Sequence, residues 1–130
     1  MKVIGIGTEI IECVRIARMI EQHGELFLER VYTPAEVAYC SERSSATQHF
    51  AARWAAKEAV MKAILGRSRG IRWNEIEVVH APESGPEIQL SGRAAEWAAH
   101  RGIDNFQLSL GRCRTHATAF VIAAQAGRPT

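Results

Sequence analysis

The segment RWAAKEAVMKAI, residues 53–64, constrains the fold most, because it predicts a helix with apolar residues on nearly every side. It contains no Gly or Pro and is rich in Ala, which favours a stable helix. At about 100° of turn per residue, Arg53 and Lys57 share one edge of this helix. Glu58 and Lys62 share another edge, roughly 140° from Arg53. A helix whose charges do not form one solvent face belongs in the interior, with other elements packed around it.

The edge that carries Glu58 and Lys62 has apolar neighbours on both flanks. Trp54 and Met61 lie on one side, and alanines crowd the other. A Glu four residues before a Lys is also the commonest surface pair of a helix, worth roughly 0.3–0.5 kcal/mol. The sequence therefore leaves two interpretations open: an ordinary ion pair, or part of a functional site.

Length and composition point to one ordinary domain. The chain has 130 residues, of which 47% are hydrophobic and 23% charged, as in globular proteins. We expect a single domain over residues 1–125 and a polar, frayed tail over residues 126–130.

The net charge of +2 is too small to indicate a nucleic-acid partner, and the N-terminal apolar run is too short to span a membrane. Three widely spaced cysteines favour reduced thiols in a cytoplasmic protein.

Local patterns predict an α+β fold. The run KVIGIG predicts a buried strand that ends at its glycines, and EIIECVRIARMIEQHG predicts a helix that Gly24 stops. Thr33, Pro34 and Glu36 predict a capped helix start. The long helix should run from about residue 47 to residue 65, followed by two strands, a short helix and a final hairpin. Helices beside antiparallel strands, without repeating βαβ units, indicate the α+β class.

Glu9 is a candidate metal ligand. It follows GIGT, and a carboxylate behind glycines that admit a ligand to the backbone suits metal binding. Glu9 could instead be an acidic residue that complements the dipole of the next helix. If Glu9 and Glu58 meet, they could hold Mg²⁺, which usually takes one or two carboxylates and phosphate oxygens. Lys62, one turn after Glu58, would then reach a phosphate.

Basic residues near the long helix are candidates for binding a polyphosphate, because arginine forks match phosphate oxygens. Scattered surface arginines are the alternative interpretation, and a small basic nucleic-acid-binding protein is another. The residues concerned are Arg53, Lys57, Arg67, Arg69, Arg72 and Arg112.

Five segments together resemble the holo-acyl-carrier-protein synthase family of 4′-phosphopantetheinyl transferases. They are GIGTEI followed by Arg15, then FLERVYTPAE, FAARWAAKEAVMKAI, IRWNEIEVV and FQLSLGRCRTHATAFVIA, in this order along nearly the whole chain. The resemblance implies an antiparallel sheet packed with a long central helix. It also implies Mg²⁺-dependent transfer of 4′-phosphopantetheine from coenzyme A to a serine of apo-acyl carrier protein, with release of adenosine 3′,5′-bisphosphate.

The resemblance also implies roles for individual residues. Glu9 and Glu58 would be the metal ligands, and Glu58 and Lys62 would be catalytic. Arg112 would contact the 3′-phosphate of coenzyme A. The full set of coenzyme A-binding residues would be Arg53, Lys57, Lys62, Gly66 and Arg112.

Acyl carrier protein would dock on the helix after Glu9, since carriers of this kind are acidic. Arg15, Arg18, Met19 and Phe27 offer basic residues and apolar anchors for an acidic amphipathic helix. Met19 and Phe27 could equally belong to the core. The resemblance further implies a homotrimer with active sites between its subunits.

The chain departs from the family pattern at the edges of the expected site. The family usually has Asp at the position of Glu9, His at that of Arg112, and a Gly-Thr-Gly loop where this chain has Gly66, Arg67 and Ser68. Arginine still binds phosphate, but it cannot exchange protons near neutral pH. A non-catalytic relative that binds coenzyme A or a carrier protein is therefore the alternative to an active transferase.

Overall fold

The computed structural model describes residues 1–127 and has α+β architecture. Its strands are β1 (Lys2–Glu12), β2 (Ile76–Ala81), β3 (Gly85–Leu90), β4 (Asn105–Arg112) and β5 (His116–Gln125). Its helices are α1 (Cys13–His23), α2 (Glu25–Val31), α3 (Pro34–Ser41), α4 (Ala46–Ala63) and α5 (Gly92–His100), with a 3-10 turn at Trp73–Glu75. Most of the predicted tail, residues 126–130, lies outside the described residues.

Two antiparallel units surround the long helix. The larger sheet has the strand order β1-β5-β4, and β2 and β3 form a separate hairpin. Helix α4 packs against β1 and β5, and its alanines from Ala51 onward are fully or almost fully buried. The central position predicted for this helix is confirmed, and its predicted ends at residues 47 and 65 lie within two residues of the observed ones.

Helix α3 begins as its sequence predicts. The Thr33 side chain accepts a hydrogen bond from the Glu36 backbone N–H, and the Glu36 carboxylate accepts one from the Thr33 backbone N–H. Pro34 occupies the first turn, where its missing N–H is not needed. The capping box therefore fixes where the chain enters α3.

Strand β1 differs from its prediction. It does not end at the glycines but continues to Glu12, and α1 begins only at Cys13. Its full length pairs with β5, with Glu9 opposite Ala119. One face is buried, through Gly7 and Ile11, whereas Ile6 and Ile10 on the other face are exposed. Glu9 is therefore a strand residue, and the alternative role at a helix N-terminus is wrong.

The glycines of β1 admit a helix. A side chain at Gly5 would overlap the carbonyl oxygen of Ala63, and one at Gly7 would overlap that of Ala59. This close approach brings the α4-facing side of β1, including Glu9, against the middle of α4. Among residues 1–127, no helix is long and apolar enough to span a membrane.

Candidate active site

Glu9 and Glu58 meet between β1 and α4, and we call them, with Lys62, the acidic centre. Lys62 Nζ lies 3.1 Å from Glu9 Oε2 and donates a hydrogen bond of 2.9 Å to the carbonyl oxygen of Thr8. The other oxygen of Glu9 accepts a hydrogen bond from the Ile10 backbone N–H. Within the described part of the chain, Lys62 thus pairs with Glu9 instead of forming the helix pair with Glu58 that its spacing allowed.

The two carboxyl groups of the acidic centre lie close enough to shift each other's pKa. Burial, reinforced by the hydrogen bond to Glu9 and its charge, raises the pKa of Glu58 to about 7. The same hydrogen bond, assisted by Lys62, lowers the pKa of Glu9. Two acidic groups held this close favour either a proton or a cation between them.

A second candidate site is a cavity of about 370 Å³ lined by basic residues. Arg53 and Arg112 both line it, and Arg112 also donates a hydrogen bond to the Gln48 side chain. The described residues in the lining include no acidic one. The cavity draws on five elements, and its polar lining residues are Tyr39, His49, Arg53, His80, Ser109 and Arg112.

Arg53 has unsatisfied binding capacity in this cavity. Its side chain is only 4% exposed, and within residues 1–127 its Nε makes no hydrogen bond. The guanidinium stacks on the Tyr39 ring at 4.1 Å from the centroid, while Arg43 lies over that ring at 3.4 Å. Burial, followed by the charges of Arg112, Arg53 and Arg43, lowers the pKa of His49. This concentration of positive charge around one cavity favours an anionic ligand.

Lys57 is part of the core and not of the cavity. It is 0% exposed, its Nζ lies 2.7 Å from a Glu36 oxygen, and it also donates to the carbonyl oxygens of Trp73 and Ile76. With its three donors engaged, Lys57 has none left for a ligand. We therefore correct the prediction that Lys57 contacts coenzyme A. Glu36 and Lys57 belong to different helices, so no local spacing indicated this ion pair.

Two further predicted site residues have packing roles. Phe27 is 6% exposed and contacts the rings of Tyr32 and Trp54, so we correct its assignment to a docking surface. Gly66 is buried, and a side chain there would overlap Met61 and Ile71. These features assign Gly66 to the packing of the loop, and not to ligand contact.

Helix α1 presents the other predicted docking residues to solvent. Arg15, Arg18 and Met19 are all exposed. Leu26, the neighbour of Phe27, is 68% exposed, so the exposed apolar side chain of this pair is Leu26 and not Phe27. Only the packing of α2 distinguishes the two, because both are large apolar residues of one short helix.

Comparison with known proteins identifies the family. The model of the 4′-phosphopantetheinyl transferase superfamily matches residues 5–121. The chain belongs to this superfamily. As a superfamily member it is an enzyme of the transferase class, and the resemblance stated from its motifs is confirmed.

Relatives of this superfamily match nearly the full chain. A holo-[acyl-carrier-protein] synthase of Rhodopirellula baltica is 52% identical over 94% of this chain and 98% of its own length. The crystal structure of a holo-ACP-synthase from Plasmodium yoelii has a TM-score of 0.82 and 28% identity over 96% of this chain and 97% of that one. The Helicobacter pylori enzyme, solved in complex with coenzyme A, has a TM-score of 0.78 and 28% identity over 92% and 99%. These structures confirm the α+β fold.

Proposed function

We propose that this chain is a holo-[acyl-carrier-protein] synthase, which transfers 4′-phosphopantetheine from coenzyme A to a serine of apo-acyl carrier protein. The co-product is adenosine 3′,5′-bisphosphate. The observation that carries this proposal is the meeting of Glu9 and Glu58 beside Lys62, in a member of a superfamily that transfers this group.

The basic cavity is the proposed site for the adenosine and 3′-phosphate end of coenzyme A. Arg53 offers a buried, unpaired Nε, and Arg112 offers an exposed guanidinium on the same cavity. Arginine holds phosphate through two parallel hydrogen bonds. Arg112 therefore replaces the family histidine as a phosphate ligand without needing to change its protonation.

The acidic centre fits a divalent cation such as Mg²⁺, for which Glu9 and Glu58 would be the protein ligands. Two carboxyl groups already share one site, and Mg²⁺ usually takes one or two carboxylates together with phosphate and water oxygens. Within residues 1–127, no group of three or more His, Cys, Asp or Glu could form a richer site. A bound Mg²⁺ supplies positive charge that stabilises the negative charge of the diphosphate during transfer.

Charge dictates the roles of the protein groups in the transfer step. The serine oxygen forms a bond to the phosphorus that carries pantetheine, and the bond from this phosphorus to the bridging oxygen breaks. Lys62 would stabilise the departing phosphate and give it a proton. One of the carboxylates of the acidic centre, or a water held there, would accept the serine proton.

The exposed face of α1 and α2 is the proposed docking surface for acyl carrier protein. Arg15 and Arg18 suit an acidic partner, and Met19 and Leu26 suit its apolar residues.

Three free cysteines, all in the described part of the chain, support a reducing cytoplasmic location.

We further propose a homotrimer in which neighbouring subunits share active sites. Arg53 and Glu58 are five residues apart on α4, which separates them by about 7.5 Å along the axis and roughly 140° around it. The basic cavity and the acidic centre therefore open on different sides of one helix. One coenzyme A molecule could contact both sites if the basic cavity of one subunit adjoins the acidic centre of the next.

Intact-mass spectrometry tests the proposed function. The protein is mixed with coenzyme A, Mg²⁺ and apo-acyl carrier protein, and we expect the carrier to gain the mass of one phosphopantetheine arm. Glu58→Gln and Lys62→Ala should abolish this gain, whereas Glu83→Gln, which removes an exposed carboxylate, should not. Coenzyme A binding without transfer to any carrier would instead favour the non-catalytic relative.

A further inference from the structure

The loop after α4 has a defined conformation beside the acidic centre. The Leu65 N–H donates to the carbonyl oxygen of Lys62, and the Gly66 N–H donates to that of Met61. Leu65 and Ser68 adopt φ values of +54° and +65°, which residues with side chains rarely take. The chain thus reverses immediately after Lys62 and stays near the end of α4.

Trp97 of α5 fastens this loop at two points. Its indole Nε1 donates a hydrogen bond of 2.7 Å to the carbonyl oxygen of Ile64, where the loop begins. The Arg69 guanidinium lies over the indole, 3.9 Å from the ring centroid. Because both ends of the loop are held by one side chain, the intervening residues are restricted in position.

Arg67 lies between these two points and is free to bind a ligand. It is exposed, and within residues 1–127 its guanidinium makes no ion pair or hydrogen bond. Its charge nevertheless acts on the Glu58 carboxyl group and partly offsets the rise in the pKa of that group. The hydrogen bond from the Gly66 N–H to the Met61 carbonyl oxygen keeps the residue before Arg67 against the last turn of α4, which also carries Lys62.

The charges of the acidic centre leave room for another cation. Glu9, Glu58 and Lys62 together contribute one net negative charge when both carboxylates are ionised, and a divalent cation reverses this to one positive charge. The diphosphate of coenzyme A brings two negative charges, so the assembled site lacks one positive charge. An arginine at the rim would supply it and could hold two phosphate oxygens at once.

We propose that Arg67 is a further substrate-binding residue, whose guanidinium holds the diphosphate of coenzyme A at the acidic centre. The proposal rests on the proposed function. The family pattern usually has Gly-Thr-Gly in this loop, where this chain has Gly66, Arg67 and Ser68. The proposal does not include Arg69, because its guanidinium stacks on the Trp97 ring.

Calorimetric titration with two ligands tests this role, both in EDTA and with Mg²⁺. The ligands are coenzyme A and 3′-dephospho-coenzyme A, which keeps the diphosphate but lacks the 3′-phosphate. Loss of one charge-assisted contact should weaken binding of Arg67→Ala to both ligands by the same factor, roughly ten- to a hundredfold. Arg67→Lys should recover part of the loss. Arg112→Ala should weaken coenzyme A only.

Arg30→Ala is the matched control, since it removes an exposed arginine of α2, and its affinities should match those of the wild type. Equal affinities of Arg67→Ala and wild type would overturn the proposal, and so would a loss confined to coenzyme A, which would place Arg67 on the 3′-phosphate. A wild-type protein that binds neither ligand would refute the proposed function itself. Melting temperatures verify that each variant is folded.

Discussion

Individual charges on α4 have opposite roles because their surroundings differ. Lys57 is surrounded by acceptors, with Glu36 and two backbone carbonyl oxygens satisfying its ammonium. Arg53, one turn earlier, is almost as buried but keeps an unpaired Nε toward a cavity. A buried donor without a partner costs free energy unless a ligand or water satisfies it. Lys57 therefore stabilises the fold, whereas Arg53 suits the anion that we propose for the cavity.

We predict that Glu36→Gln strongly destabilises the protein. The Glu36 carboxylate accepts hydrogen bonds from Lys57 Nζ, the Thr33 N–H and the Val78 N–H. Its neutral replacement leaves the Lys57 ammonium buried without a counter-charge, which should lower the free energy of unfolding by about 3–5 kcal/mol. Urea denaturation measures this change, and Glu42→Gln at an exposed position should remain within about 0.5 kcal/mol of wild type.

The folded fraction of Glu36→Gln should still bind coenzyme A with wild-type affinity. Unchanged stability together with weaker coenzyme A binding would contradict the structural role of Lys57. That result would restore Lys57 to the ligand-binding residues.

Elements whose determinants are local could be predicted from the sequence, and those set by distant pairing could not. The start of α3 depends on Thr33, Pro34 and Glu36, which lie within one turn, and α4 depends on its own composition. The end of β1 is different, because residues 9–12 fit a helical spacing as well as a strand. Pairing with β5 across most of the chain decides between the two, and no local pattern contains that information.

The candidate site shows the same division. The types of Glu9, Glu58 and Lys62 suggested a metal and phosphate site, and the structure brings these residues together. Which of two neighbours is exposed, as for Leu26 and Phe27, depends on how α2 packs against the core. The chemical role of a residue can therefore be predicted from the sequence, but the direction in which a side chain of a short helix points cannot.

The end of α4 contains a strained residue, and we predict that Leu65→Gly stabilises the protein. Leu65 adopts a left-handed conformation that glycine takes without steric cost, and its side chain is 64% exposed, so little packing is lost. The free energy of unfolding should rise by about 0.5–1 kcal/mol.

Chemical denaturation of Leu65→Gly and Leu65→Ala separates strain from the loss of the side chain. Alanine keeps the Cβ and therefore the strain, so it should bring no gain. Equal stabilisation of both variants would show that the exposed leucine itself, and not its backbone conformation, is unfavourable.

At the scale of the whole molecule, the larger sheet has one face that no other element within residues 1–127 covers. α4 covers the inner face, whereas Ile6 and Ile10 of β1 and Phe120 of β5 are exposed on the outer face. Phe120 pairs with Thr8 and lies two residues from each of the β5 residues that pair with Ile6 and Ile10. The side chains of Ile6, Ile10 and Phe120 therefore form a continuous apolar patch. Such patches usually mark interfaces, which supports a homotrimer assembled through this face.

A charge in this patch should dissociate the proposed trimer, and with it the proposed shared active sites. We predict that light scattering gives the wild-type protein three times the chain mass of 14.4 kDa. Phe120→Glu should have the mass of one chain, because a carboxylate cannot be buried in an apolar interface without a partner. Leu26→Glu places the same charge on α2 and should leave the mass unchanged. Transfer activity should fall with the mass in Phe120→Glu if neighbouring subunits complete each site. A monomeric variant with full activity would show that one chain contains the whole site, and a monomeric, active wild type would refute the trimer.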